Sequence, residues 1–375
     1  MFDILIVGAG PAGSYLAYLL ASKGIKVALI DKKTFPRKKL CGGGLCARSV
    51  KLLPFDISPV VEKKITSAIV TLKGHPICHK KLSKPIIYMV SRENFDEFLV
   101  KKAIAKGAHF FDQTSLKEIA STTKEITIKT SKGPFKAKLI AGADGALSKT
   151  ARLLGFGMLQ NLLPAIETEI PTSHPSLNTN HLEAVHFDLA IPLHGYGWLF
   201  PKKEHISAGL FSTQKKEHNL KKLLANYLQI KNIKNDNPLD LAKGYVIPAG
   251  IKTRKQIITN FGLLLGDAAG FADPITGEGI FHALTQAQIA STHIEQFLNG
   301  VTTSLKNYQN QIMQQFKKEH IYAWILGSFF YKMPFLSHIM LKKYNKLITD
   351  LQIDIITGKR NYKELLLIAL LLKRP

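Results

Sequence analysis

Gly8, Gly10 and Gly13 stand at G-x-G-x-x-G spacing, and their flanks define the local fold. Residues 2–7 before them are almost unbroken in apolar character, the pattern of a strand buried on both faces. Residues 14–22 after them are rich in Ala and Leu and read as a helix closed by Gly24. Residues 26–30 then form a second strand that ends on Asp31. In such a βαβ unit the first glycine permits the tight turn. The second lets backbone approach a pyrophosphate, and the third lets helix lie close on strand. The segment Gly8-Ala9-Gly10-Pro11-Ala12-Gly13 therefore presents a helix N-terminus, with its free N–H groups and partial positive charge, to phosphates. Asp31, eighteen residues past Gly13 and followed by Lys32, stands where a carboxylate accepts from a ribose hydroxyl. A glycine triplet alone also occurs in ordinary α/β turns; strand, glycines, helix, second strand and acid in order point to a dinucleotide site.

A chain of 375 residues buries a large core and is expected to form two domains. Its 51 Lys and Arg against 27 Asp and Glu give a net charge of +24. That excess attracts lipid headgroups, nucleic acid or an acidic protein, or else reflects a lysine-biased composition. Without zinc-finger spacing or the aromatic motif of an RNA-binding sheet, nucleic acid is set aside as a partner. Three cysteines, Cys41, Cys46 and Cys78, lack metal-ligand spacing. They imply no metal, no disulfide framework and a reducing compartment. The first strand lacks the basic flank and cleavage site of a signal peptide. Residues 365–372 are only eight apolar residues, far short of a membrane span. The expectation is a cytoplasmic protein, peripheral at most on the inner face of the membrane.

Along the chain, Cys41 precedes three glycines, Gly42, Gly43 and Gly44, a loop open to close backbone approach. It lies either at the far end of the cofactor or in a plain connector. Residues 65–72 and 85–90 read as strands. Ser91 caps a helix running to about residue 106, and Arg92 either meets a phosphate or lies on the helix surface. Residues 108–111, 116–119, 125–130 and 134–138 read as a meander, followed by a strand that ends at Asp144. That carboxylate either bonds a cofactor hydroxyl or holds the loop that does. Residues 164–250 hold β-like runs at 182–191, 196–200 and 206–211, a second, sheet-based domain. There Tyr196, Trp198 and Phe200, ahead of Pro201, put three rings on one face of a strand, lining a cavity or packed in a core. Residues 261–265 form a third apolar strand into Gly266-Asp267, then Pro274, Gly277 and Gly279, with a helix over 280–298. Asp267 suits a ribitol or ribose hydroxyl; the glycines give N–H groups to a polarised carbonyl or anionic ring. From residue 305 the pattern is helical and broken at Pro334. Lys332, Lys342, Lys343, Lys346, Lys359, Arg360, Lys363, Lys373 and Arg374 alternate with apolar clusters, as in a membrane-surface segment or in helices capping the fold.

Three corners, GAGPAG at 8–13, GADGALSKTAR at 142–152 and GDAAGFADPITGEGI at 266–280, together resemble the FAD-dependent oxidoreductases of the para-hydroxybenzoate hydroxylase fold. The Cys41-Gly-Gly-Gly loop and Tyr196-Gly-Trp198-Leu-Phe200-Pro201, with Gly209 downstream, resemble the geranylgeranyl reductase branch. That branch's aromatic motif usually ends Gly-x-Gly, whereas this chain has Gly209-Leu210-Phe211. The likeness spans about residues 1–300. It implies an α/β protein with a Rossmann-like FAD-binding domain (1–75, 91–160 and 250–300). It also implies an inserted, mainly antiparallel β-sheet substrate domain (76–90 and 161–249) and a helical C-terminal region (301–375). FAD would lie with its adenosine on Gly8, Gly10, Pro11, Ala12, Gly13, Asp31 and Lys32. Arg92 and Asp267 would contact its phosphate and ribityl parts, and Asp144 and Gly266 would also belong to the cofactor site. The flavin ring would meet Cys41, Gly42 and Gly43, and Pro274, Gly277, Gly279 and Ile280. Tyr196, Trp198, Phe200 and Pro201 would face it and border a long apolar tunnel, with Cys41 in a proton-donating or gating role. With no second G-x-G-x-x-G unit, NAD(P)H or another external donor would visit only transiently. The implied activity is reduction of C=C bonds in an isoprenoid, geranylgeranyl-type lipid or quinone side chain by hydride transfer from reduced flavin. Two alternatives remain. One is a monooxygenase or halogenase on the same fold, whose Trp-x-Trp-x-Ile-Pro is met here with Tyr196 and Phe200 in place of Trp and Ile. The other is a membrane-associated electron-transfer flavoprotein.

Overall fold

The computed structural model describes residues 1–121, 125–217, 219–234, 240–249, 254–332 and 343–371. The chain divides into two compact units, each assembled from three stretches: 1–38, 93–162 and 248–318, and 39–92, 163–247 and 319–375.

The first unit is built on a seven-stranded sheet. Its order is His109–Phe111, Val27–Ile30, Phe2–Val7, Gly133–Gly142, Ile126–Thr130, Leu116–Ser121, with Gly262–Leu264 also pairing Gly133–Gly142. Phe2–Val7 runs parallel to Val27–Ile30 and to the end of Gly133–Gly142, which in turn runs parallel to Gly262–Leu264. These strands lie under cover on both faces, so their sequences are continuous apolar runs. The register sets Val7 opposite Gly142, and Gly142 opposite Leu264. All three Gly/Asp corners therefore leave the sheet at one level of one edge. The meander is antiparallel over residues 116–142, but His109–Phe111 is not part of it: it adds in parallel to Val27–Ile30. The first helix, Pro11–Ala21, starts three residues ahead of the Ala/Leu-rich run because Pro11 at its first turn presets φ. Helix Ile280–Leu298 follows the third corner. Helix Lys306–Ile312 and a π-helical turn, Met313–Lys317, also belong here. The buried Tyr308 donates its hydroxyl to the Leu264 carbonyl at 2.8 Å, and residues up to 318 group with this unit.

The second unit holds another seven-stranded sheet, ordered Lys243–Ile247, Leu163–Pro171, His205–Ser212, Gly195–Pro201, Val185–Leu189, Ser67–Leu72, His75–Lys81. Every pairing is antiparallel except that of Val185–Leu189 with Ser67–Leu72. That parallel pairing ties Ser67–Leu72 into this unit, which takes in residues 39–92. The run 182–191 also divides. Asn178 caps a short helix, Thr179–Glu183, and the strand begins only at Val185. A smaller sheet pairs Gly44–Cys46 and Lys63–Ile65 with Ile87–Met89. Helix Leu220–Ile230 covers one face of the large sheet, with Leu224, Tyr227 and Leu228 packed among Ile206, Ala208 and Leu210. Helix Asn345–Thr357 is tied to His75–Lys81 by Asn345, which donates to the Ile77 carbonyl, and by a Lys80–Asp350 ion pair at 2.9 Å. Helix Tyr362–Leu371 ends the described chain. Pro334, Lys342, Lys373 and Arg374 lie outside the described residues. Among those described, no helix is long and apolar enough to cross a membrane.

Candidate cofactor and substrate site

At the first corner Gly8 has φ +101°, and a Cβ there would lie 2.5 Å from the Ala143 carbonyl oxygen. A Cβ on Gly13 would lie 1.9 Å from the Gly8 carbonyl oxygen, so helix Pro11–Ala21 rests directly on the turn. Gly10 precedes that helix and offers no side-chain cap, which leaves the N–H groups of its first turn for a ligand. Asp31 accepts from the backbone N–H of Ala9 and of Lys33, each at 2.9 Å. A carboxylate oxygen accepts more than one bond, so capacity for a ribose diol remains. Arg37, unmarked in the sequence, stands 3.6 Å from Asp31 and 3.1 Å from the wholly buried Asp96. Lys32 is exposed.

At the second corner both oxygens of Asp144 are engaged. One accepts from the Ser148 hydroxyl, the other from the Thr150 N–H at 2.9 Å and its hydroxyl at 3.0 Å. Of its two open roles, the one in view is holding the loop and the start of helix Lys149–Leu153.

At the third corner Gly266, at φ +63°, donates its N–H to the buried Gln286 side chain at 2.9 Å. Its absent Cβ would meet Ala12 at 3.0 Å, so first and third corners touch. The Asp267 carboxylate lies 3.0 Å from where a Gly279 Cβ would stand. Buried Asp273 accepts from Ile275 and Thr276 N–H groups at 2.8 Å, and its carbonyl accepts from Gly277 at 3.0 Å. The loop carrying Pro274 and Gly277 is thus wound around Asp273, and Gly279 leads into helix Ile280–Leu298 without a side-chain cap. Uncapped helix starts for phosphate or ring carbonyl, and carboxylates for hydroxyls, fit the parts of FAD.

In the second unit Tyr196, Trp198 and Phe200 share one face of Gly195–Pro201, with neighbouring ring centroids 6.2 and 6.3 Å apart. Trp198 faces Phe187 on one neighbouring strand and Gly209 on the other. A Cβ on Gly209 would be 2.2 Å from the indole, so the glycine makes room for the ring. The indole N–H donates to the Ser207 hydroxyl at 3.0 Å. Trp198 is buried, but Tyr196 and Phe200 stay half-exposed, and the wall is not a sealed core. Pro201 is buried at the strand end.

The Cys41–Gly43 loop lies over this face. A Cβ at Gly42 would be 2.8 Å from Phe200 and 3.3 Å from the Trp198 ring nitrogen. The Gly43 N–H donates to Cys41 Sγ at 3.5 Å, and its carbonyl accepts from Val90 at 2.9 Å. The Cys41 N–H donates to Glu167 Oε1 at 2.9 Å. Burial pushes the Glu167 carboxyl above its ordinary range, only partly offset by that N–H and by the charges of Lys202 and Arg92. Tyr245 is also pushed well above the usual phenol range, by burial and then by the Glu167 charge. Glu167 went unmarked in the sequence because Leu163–Pro171 carries two glutamates on one face, Glu167 and Glu169, and nothing local says which is covered. Arg92 is half-buried at the head of helix Arg92–Ala105.

Residues 1–315 match the FAD binding domain family, and the chain belongs to it. It is accordingly an FAD-dependent oxidoreductase. An uncharacterized protein of Methanosarcina barkeri is 34% identical over 351 residues, 92% of this chain and 87% of that relative. A digeranylgeranylglycerophospholipid reductase of Methanococcus vannielii is 27% identical, over 88% of this chain and 86% of its own length. A geranylgeranyl bacteriochlorophyll reductase-like protein from Thermoplasma acidophilum shares the fold, with a TM-score of 0.76 at 23% identity, over 95% of this chain and 91% of its own.

Proposed function

We propose that this oxidoreductase saturates C=C bonds in a geranylgeranyl-type isoprenoid, as a membrane lipid or the side chain of a quinone. The observation that carries the reading is the aromatic wall beneath a loop of glycines, with Trp198 buried between half-buried Tyr196 and Phe200. Flanking rings that are neither sealed in a core nor fully solvated suit a long apolar chain. FAD, when bound, supplies the two-electron chemistry, replenished by NAD(P)H or another external donor. Gly8, Gly10, Pro11, Ala12, Gly13, Asp31 and Lys32 hold the dinucleotide, with Gly266, Asp267 and Arg92 at its phosphates and ribityl chain. Asp144 keeps the second corner in place. Pro274, Gly277, Gly279 and Ile280 hold the flavin ring, and Cys41, Gly42 and Gly43 cover the aromatic wall. Pro201 fixes the end of the aromatic wall. An isolated alkene is a poor electrophile, so the chain's main task is to position it and exclude water. The excess of lysine and arginine draws the protein to anionic bilayers, where such substrates reside.

The test incubates FAD-loaded protein with a digeranylgeranyl phospholipid and NADPH or dithionite, and follows product mass. Cys41→Ser and Trp198→Ala are each expected to slow reduction about tenfold or more, ~1.4 kcal/mol of barrier. Wild-type rates in both sink the site assignment. Oxygen uptake with a hydroxylated or halogenated product replaces the reading with a monooxygenase or halogenase. Flavin cycling without any organic product replaces it with an electron carrier.

A further inference from the structure

We infer that Glu167 is the acid that protonates the alkene, an assignment that rests on the proposed ene-reduction. Glu167 sits in a row with Gly209 and Trp198 across three adjacent strands. The indole leans over Gly209, toward the strand that carries Glu167. Glu167 is 6% exposed, and its two oxygens differ. Oε1 takes the Cys41 N–H. Oε2 is buried and has no hydrogen-bond partner among the described residues. A buried carboxylate with one orphaned oxygen is costly, whereas a neutral carboxyl with its proton on Oε2 avoids that charge. The groups around it are Cys41 from the loop, Arg92 from the helix head and Lys202 beyond the aromatic strand. Glu169 on its own strand and Tyr245 on the next complete the set. Burial disfavours the charged form and outweighs the Cys41 N–H, Lys202 and Arg92, which favour it; Glu169 acts in the same sense as burial.

The O–H bond of Glu167 breaks as a C–H bond forms at one alkene carbon. The other carbon takes a hydride, whose two electrons come from reduced flavin and originally from a nicotinamide-class donor. The π bond is replaced by two C–H bonds, and the carboxylate recovers its proton from water.

Holding the Cys41 loop is the alternative task for this side chain, and Glu167→Gln separates the two. The amide keeps an oxygen for the Cys41 N–H but has no acidic proton. With FAD affinity and melting temperature retained, Glu167→Gln is expected to reduce a digeranylgeranyl phospholipid about 10²- to 10⁴-fold more slowly. Independently of turnover, the infrared carbonyl band of a protonated carboxyl is expected in wild type at neutral pH and absent in Glu167→Gln. The wild-type rate is expected to fall as rising pH removes that same band, a titration that needs no variant. Turnover of Glu167→Gln within twofold of wild type, or no such band, overturns the assignment while leaving ene-reduction intact. If wild-type protein leaves the lipid unchanged, the proposed function fails, and this assignment with it.

Discussion

A methyl group on Gly13 would stand 1.9 Å from the Gly8 carbonyl oxygen, closer than any carbon can approach. Gly13→Ala is therefore expected to lift helix Pro11–Ala21 from the turn and cost about 1–3 kcal/mol. It should also strip FAD during purification. Thermal melting of the apoprotein and the flavin-to-protein absorbance ratio check this; wild-type values for both contradict it. Residues of this kind were legible because their meaning lies in short spacing: Gly8, Gly13 and Asp31 belong to one continuous βαβ unit. Glu167 was not, because its partner Cys41 lies 126 residues away. Arg37 was equally silent. Its place beside Asp31 and Asp96 depends on a strand end and a helix brought together only by the fold. Asp273 sits in a recognisable turn, but nothing local says that it is buried at the centre of its loop.

At the scale of elements, helix Leu220–Ile230 is fastened to the sheet by polar groups as well as by its apolar stripe. Fully buried Asp188 accepts from Thr71, from Tyr227 and from Lys231, the last at 3.0 Å. Lys231 also donates to His186 Nδ1 at 2.9 Å, so the ring proton sits on Nε2, which donates to the Asn180 carbonyl at 3.0 Å. Burial, and then the adjacent Lys231 charge, lower the His186 pKa to about 4, with Asp188, His181 and Asn180 also facing the ring. The unfolded chain binds this proton below about pH 6.5, the folded one only near 4. Stability is thus complete above the upper value and declines as acid is added between the two. The melting temperature should drop across that window, and less so in His186→Gln, whose side chain never charges. Equal losses in both proteins reject His186 as the sensor. Periodicity revealed most of the strands and helix Ile280–Leu298. It could not reveal that Ser67–Leu72 pairs with Val185–Leu189, because parallel partners more than a hundred residues apart leave no local trace.

For the whole molecule, the three corners of the first unit draw on residues from Gly8 to Ile280, and one FAD would tie them together. A ligand that binds only the folded state stabilises it by about 2.7 kcal/mol at a hundredfold excess over Kd. Added FAD is therefore expected to raise the melting temperature, and freshly purified protein to be yellow. Colourless protein whose melting is indifferent to FAD is incompatible with the assigned family chemistry. The chain passes between the two units five times, at residues 38/39, 92/93, 162/163, 247/248 and 318/319. No single crossover between two genes exchanges one of the two seven-stranded sheets and leaves the other undivided, since the strands of the first are encoded in three separate pieces and those of the second in two. Exchange of one sheet between relatives therefore needs several crossovers at once, whereas single substitutions and loop changes face no such barrier.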